Sequence, residues 1–574
     1  MAAEPTAPTA NGNLSSSPKH GHANNTVTNG EDELMSPEEK REAAPPPAPV
    51  AVGPPKPMYP TGVKLVLVVL SLLLAMFLVA LDMSIIATAI PKITREFGSL
   101  DQVGWYGSGF FLTLGAFVSF WGKAFKHGPV KWVFLGSIFV FEIGSLICGV
   151  AQNSTTLIAG RAVQGVGGAG TTSGVYLLMA ISVPPPKVPT YLGLTGGIFS
   201  LASVAGPLLG GAFTDQVTWR WCFYINLPIG GLVMIIIALV YQPPAFMKPV
   251  PITLKELLLT LDLPGMALLI GSLTCFFLAL EWGGITKAWN SSEVIGTLIG
   301  WILLMVIFGI LEWKQGERAL IVGRIMRRRT IWVCSAFIGC TNFAGFARTY
   351  NLPIYFQAID GVSPWQSGVR VLPTILSLCK FRMRLSIAEY KIGWYQPFLI
   401  VGSMLAIIGG GLIYTFDIGT PAGKWIGYQI IAGFGLGLAI QTPVIVAQST
   451  TAQPDMGMAM SNVLFFQFVG GSFGTSCAQA IFNNGLLESL PRLAPDVSPQ
   501  LVLSTGAYNL RGVFSGDQLL GVLQAYMVGL KHAWIMSIVL WGVTLILAFC
   551  GEWINIKPKA PPAASQPSKN DSPA

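Results

Sequence analysis

The chain is short of charge: Asp, Glu, Lys and Arg together make up 11% of its 574 residues, where a soluble domain carries about 25%. That scarcity excludes a water-soluble enzyme. Histidine is rarer still, with four in all, and His20 and His22 sit in a polar tail, so neither a zinc site nor a Ser-His-Asp set can be assembled. The eight cysteines stand singly, without a C-x-x-C pair, and read as reduced thiols packed in a core or against lipid. No GxxxxGKS or GxxxxGKT loop occurs, so no bound nucleotide drives work and an ion gradient must.

What abounds is apolar surface: 52% of residues are hydrophobic and the mean hydropathy is +0.59. These residues gather into runs of roughly 20, each long enough to cross about 30 Å of hydrocarbon as a helix. Fourteen candidate spans can be read at about 64–90, 103–122, 132–150, 156–181, 190–213, 222–241, 263–281, 294–313, 331–356, 365–388, 396–416, 425–447, 459–482 and 532–553. The fold class is therefore an all-α membrane protein.

A net charge of +8 invites a nucleic-acid reading, but the cations occupy short loops between apolar runs. Through the ninth run, alternate loops hold Lys123, Lys126, Lys131, Lys187, Lys248, Lys255, Lys314, Arg318, Arg324, Arg327, Arg328 and Arg329. The opposite loops hold only Lys92, Arg95, Arg220 and Lys287, a bias that puts the N-terminus in the cytosol. Residues 1–60, rich in Pro, Ala and Ser, read as a disordered cytosolic tail. The first run is too long for a cleaved signal and reads as an uncleaved anchor. A polar stretch at about 483–531 reads as an extracellular loop with one interfacial helix, DQLLGVLQAYMVGLKHAW. Asn290 opens the sequon Asn290-Ser291-Ser292 and is a candidate glycosylation acceptor.

Three ionisable residues interrupt the first spans: Asp82, Glu142 and Arg161. Counting 1.5 Å per residue from the outer helix ends puts all three roughly 9 to 14 Å deep, level with one another. Two acids and one guanidinium at one depth can pair if their helices are neighbours, and pairing is how such groups persist in hydrocarbon. One acid is then left without a counter-ion, and desolvation favours its neutral form, so the cluster would hold an exchangeable proton. The plainer alternative is that Arg161 and one acid simply pin helices together. Glycine forms a second pattern: Ala202, Gly206, Gly210 and Gly211 place small residues on roughly one face of the fifth span, which Pro207 would bend.

At these residues the chain resembles the major facilitator transporters, in particular the fourteen-span drug:proton antiporters common in fungi. LDMSIIATAIP matches that group's first-span motif through Asp82 and Pro91, and LIAGRAVQGVGGAG matches its fourth-span motif through Arg161, Gln164 and Gly165. ASVAGPLLGG matches the fifth-span antiporter motif through Gly206, Pro207, Gly210 and Gly211, and WRWCFYINLPIGG is also typical.

The resemblance implies a six-helix half at 61–245, two inserted helices with a basic linker at 246–328, a second six-helix half at 329–555 and a tail at 556–574. Substrate would bind between halves that rock to expose it alternately. It links Arg161 to proton transfer and the fifth-span motif to the gating interface; with the depth argument, Asp82 and Glu142 are expected to carry protons that Arg161 tunes, with no cofactor beyond the proton gradient and a monomer. Gln164, Arg348, Gln441 and Gln467 are assigned to the substrate cavity. Two departures stand out. The loop WGKAFKHGPVKW lacks the acid usual there, and KFRMRLSIAEY interrupts the tenth span. A cation at mid-membrane costs about 2.5 to 3.5 kcal/mol, so residues near 379–390 read as a deletion or a faulty reading frame rather than a working helix.

The expected activity is export of a hydrophobic or amphipathic small molecule across the cell membrane in exchange for protons. Rivals are an uptake symporter or vacuolar carrier for basic amino acids, and a non-transporting membrane sensor. The expected partners are the small-molecule substrate, protons and membrane lipid, with no nucleic acid.

Overall fold

In hydrocarbon a backbone amide has no water to turn to, so apolar runs of this length satisfy their hydrogen bonds internally as helices. A computed structural model describes residues 59–97, 103–184, 187–244, 253–363, 366–378, 392–507 and 509–555. Among these the only bridges between extended segments are the isolated contacts Gly283↔Lys287 and Trp394↔Asn555.

The first six runs become α1 (Gly62–Phe97), α2 (Val103–His127), α3 (Val130–Gly149), α4 (Ser154–Ser182), α5 (Val188–Gln216) and a sixth span in two pieces, α6 (Trp221–Tyr224) and α7 (Asn226–Val240). After a short α8 (Leu254–Thr260) come α9 (Leu263–Trp282), α10 (Ser292–Gln315) and the brief α11 (Gly323–Met326). Then follow α12 (Arg329–Ala358), α13 (366–378), α14 (Gln396–Tyr414), α15 (Ala422–Ala439), α16 (Thr442–Thr450) and α17 (Gln453–Leu493). Two short turns, α18 (Pro499–Thr505) and α19 (Leu510–Val513), precede α20 (Gly516–Cys550).

Local chemistry sets several starts. Asn153 caps α4 by accepting from Thr156 N at 2.8 Å, and Asp262 caps α9 from a left-handed φ of 51° by accepting from Gly265 N at 2.9 Å. Among the described residues, ten helices are long and apolar enough to cross a membrane. α2, α4 and α17, with 25, 29 and 41 residues, are long enough but more polar, because they carry much of the buried glycine, hydroxyl and amide content. α10 shows what faces lipid: Ile299, Ile302, Leu303, Val306 and Ile310 are exposed, while only Val294 and Phe308 are buried.

α1 packs along α5, α3 along α4, α12 along α17 and α20, and α14 along α15. α2 and α17 run against each other, with Phe111 edge-on to Phe346 of α12 at 6.2 Å and Gly122 against Ser461. The inserted pair joins them through Phe276 of α9, stacked on Phe473 of α17 at 4.3 Å.

The expected 483–531 loop is corrected by the structure. α17 continues to Leu493 and α20 begins at Gly516, so the amphipathic stretch is the first half of a spanning helix rather than an interfacial one. Its apolar face, Val522, Leu523, Tyr526 and Leu530, is buried in one cluster with Phe482, Leu486 and Leu490 of α17. The interruption of the tenth span at 379–391, with Cys379, lies outside the described residues; the preceding 366–378 is helical.

Candidate functional site

Five helices converge on Asp82. The carboxylate comes from α1 and is fully buried, as are Arg161 and Gln164 of α4, Ser145 of α3 and Asn226 of α7. Asp82 Oδ2 forms an ion pair with Arg161 Nη1, and Asp82 Oδ1 accepts from Gln164 Nε2 at 2.7 Å and from Asn226 Nδ2 at 3.4 Å. Gln164 returns its carbonyl oxygen to Arg161 Nη1 at 2.8 Å, while its nitrogen also donates to Ser145 Oγ at 2.7 Å. Asn226 Nδ2 donates to the same Ser145 Oγ at 2.9 Å. Arg161 Nε is held by the Tyr106 carbonyl of α2 at 2.9 Å, and its guanidinium lies 4.4 Å from the centre of the Phe110 ring. Arg161 Nη2 has no hydrogen-bond partner among the described residues.

A buried pair in low dielectric persists only when its remaining lone pairs and protons find partners, and this network supplies nearly all of them. Removing one member leaves the other charge buried alone, at a cost of about 3 to 5 kcal/mol.

Glu142 stands apart. It is 8% exposed, and neither carboxyl oxygen has a hydrogen-bond partner among the described residues. Its carboxyl packs on Gly230 of α7, where a side chain would overlap it, one turn along α3 from Ser145. Of the three charges level by helix counting, the structure thus pairs Asp82 with Arg161 and leaves Glu142 beside the pair, outside its hydrogen bonds.

The fifth-span residues meet α1 two residues beyond Asp82. Ser84 Oγ donates to the Ala202 carbonyl at 3.4 Å, and Gly206 faces Ser84 and Ile85 so closely that a Cβ there would lie 3.0 Å from Ile85 N. Gly210 is buried, whereas Gly211 has open space beside it, so the small face is narrower than the spacing suggests. α5 stays helical through Pro207, and Leu208 lies over Gly368 of α13.

The residues assigned to the cavity stand on different elements. Gln164 is spent on the ionic network. Arg348 of α12 is 2% exposed, with neither Nη1 nor Nη2 bonded among the described residues. Gln441 is buried at the start of α16, and Gln467 is half-buried on α17. Asn290 is exposed in the α9–α10 connection. Sequence reasoning missed Ser145 and Asn226. Asn226, an amide at the head of an apolar run, was the available signal; Ser145 offered none, since single serines are common in spanning helices.

Residues 72–475 match the Major Facilitator Superfamily. The chain is 45% identical over 506 residues to the MFS-type transporter grgE of a Penicillium species, covering 88% of this chain and 90% of that one. It is 41% identical over 485 residues to the dehydrocurvularin exporter of Aspergillus terreus, covering 84% of each. The crystal structure of the human organic anion transporter MFSD10 (TETRAN) shares the fold, with a TM-score of 0.55 at 13% identity over 85% of this chain and 100% of that one. The chain belongs to the major facilitator superfamily, and it is a multi-span membrane transporter rather than an enzyme.

Proposed function

We propose that this transporter expels a hydrophobic or amphipathic small molecule from the cell in exchange for protons. The observation that carries the reading is the fully buried Asp82–Arg161 pair, which can take up a proton only by giving up its ionic bond. A proton on Asp82 cancels the counter-charge of Arg161. The uncompensated guanidinium is then costly in a dry site, so the helices that hold it must rearrange or water must enter. Because α1 also carries Ser84 against α5, a shift of α1 reaches the α5–α13 contact at Leu208 and Gly368. Proton uptake is thereby tied to which side of the membrane the cargo site faces. Glu142, one turn along α3 from Ser145, is a second proton-bearing group that acts without a bond to the pair.

The rocking units are the halves 61–245 and 329–555, with 246–328 inserted between them, in a monomer of fourteen spans. Ten qualifying helices, the longer polar α2, α4 and α17, and helical 366–378 supply fourteen elements for that count. The N-terminus and the linker at 316–328 face the cytosol. Arg348, Gln441 and Gln467 contribute to the cargo path. The name of the Aspergillus terreus relative, dehydrocurvularin exporter, supports outward transport, and the cell membrane is the matching location.

The test is efflux of labelled apolar compounds from cells with and without the protein, repeated in inside-out vesicles under an imposed pH gradient. Accumulation in vesicles that follows the gradient supports the reading, and gradient-independent movement overturns the coupling.

A further inference from the structure

Where the basic linker enters α12, three consecutive arginines, Arg327, Arg328 and Arg329, line a cleft of about 480 Å³ with Thr330, Glu552 and Ile554. All three are exposed. Arg329 is anchored by donating Nε to the Cys550 carbonyl at 2.9 Å, and Glu552 is engaged by the Thr330 hydroxyl. Among the described residues neither Arg327 nor Arg328 forms an ion pair, whereas nearby Arg324 pairs with Glu317 and Asp455 at 2.8 Å each. One acid against three guanidinium groups leaves the cleft strongly cationic.

Its surroundings mark it as a membrane border. α12 starts and α20 ends here, and Trp332, Trp394 and Trp553 are 40%, 39% and 59% exposed, with the last two rings 6.3 Å apart. Exposed tryptophans collect at headgroup depth. Directly along α20, Phe549, Ile546 and Val539 form an exposed apolar strip at helical spacing. A soluble phosphate ester would use the arginines and leave that strip idle; a phospholipid uses both.

We propose that this cleft binds an anionic phospholipid of the cytosolic leaflet, its phosphate on Arg327 and Arg328 and its acyl chains along Ile546 and Phe549. The choice of leaflet rests on the cytosolic orientation given above. Anionic lipids concentrate in that leaflet, and each surface cation adds about a fivefold preference. Lipid held there would clasp the linker end of α12 to the end of α20.

The test is equilibrium binding to the purified full chain in neutral detergent, using dioctanoyl phosphatidylinositol 4-phosphate, dioctanoyl phosphatidylcholine and the free inositol phosphate headgroup. The expected order is phosphatidylinositol 4-phosphate well ahead of the other two. R327Q/R328Q should weaken its binding about thirtyfold, R327K/R328K should restore most of it, and I546S/F549S should weaken the lipid while leaving the headgroup alone unaffected. Equal binding of phosphatidylcholine, an unchanged R327Q/R328Q, or a free headgroup that binds as tightly as the lipid overturns the assignment. None of these readouts requires transport or orientation, so they fail separately from the export reading.

Discussion

Gln164 Nε2 donates to Asp82 Oδ1 at 2.7 Å while the carbonyl of the same amide accepts from Arg161. One side chain therefore fixes both ends of a buried ion pair, and an isosteric change there is felt by both. Gln164→Leu should lower proton-driven efflux by at least tenfold and cost about 1 to 3 kcal/mol of stability, the penalty for buried polar atoms left unpaired. Gln164→Glu should be worse than Gln164→His, because it adds a second buried acid to Asp82. Vesicle efflux and melting of the purified protein decide it, and full activity in Gln164→Leu would remove the amide from the coupling machinery.

Asp82→Asn leaves Arg161 without its counter-charge. Proton-driven efflux should be lost while some downhill movement of cargo remains, and the protein should melt earlier by an amount set by about 3 to 5 kcal/mol. Intact gradient-driven efflux in this variant would falsify the role of Asp82. Glu142→Gln, by contrast, removes no ion pair and should retain the fold with a loss of coupling of severalfold at most.

Gly206→Val drives a branched side chain into Ser84 and the α1 backbone. Overpacking of this kind costs about 1 to 3 kcal/mol, and because it lies at the α1–α5 contact it should slow transport more than it lowers expression. Ser84→Ala combined with Gly206→Ala should recover part of the rate that Gly206→Ala alone loses. No recovery in the pair would show that the contact is not what limits the rate.

Asp455, at the foot of α17, is held below the ordinary carboxylate range by hydrogen bonds from Arg324 and by its charge. A carboxyl depressed in the folded state stabilises above the unfolded value, near pH 3.9, and that stabilisation is lost as pH falls through the lower folded value. The pair is half-exposed, so it is worth at most about 1 kcal/mol. The melting gap between the native chain and Asp455→Asn should be small at pH 7, shrink with salt and narrow as the pH falls below about 4; a gap that does not narrow in acid contradicts the assignment.

Asn290 is exposed between α9 and α10. If that connection faces outward, the expressed protein should lose mass on treatment with a glycosidase, and Asn290→Gln should show no such loss. An unglycosylated native chain that impermeant reagents label from the cytosol at this loop would reverse the orientation.

The amino-acid sequence by itself determined the solvent and the element type: with so little charge and such long apolar runs, only helices spanning a bilayer satisfy the backbone. It also placed Asp82 and Arg161 at one depth, because rise per residue is a property of the helix alone. Which charges meet was decided only by tertiary packing. Helix counting cannot separate Glu142 from Asp82, since both are level with Arg161; the rotation of α3 turns Glu142 toward Gly230 and Ser145 toward Gln164. Nor could hydropathy reveal that residues 516–530 pack on α17, for a face buried against protein and one buried against lipid are equally apolar.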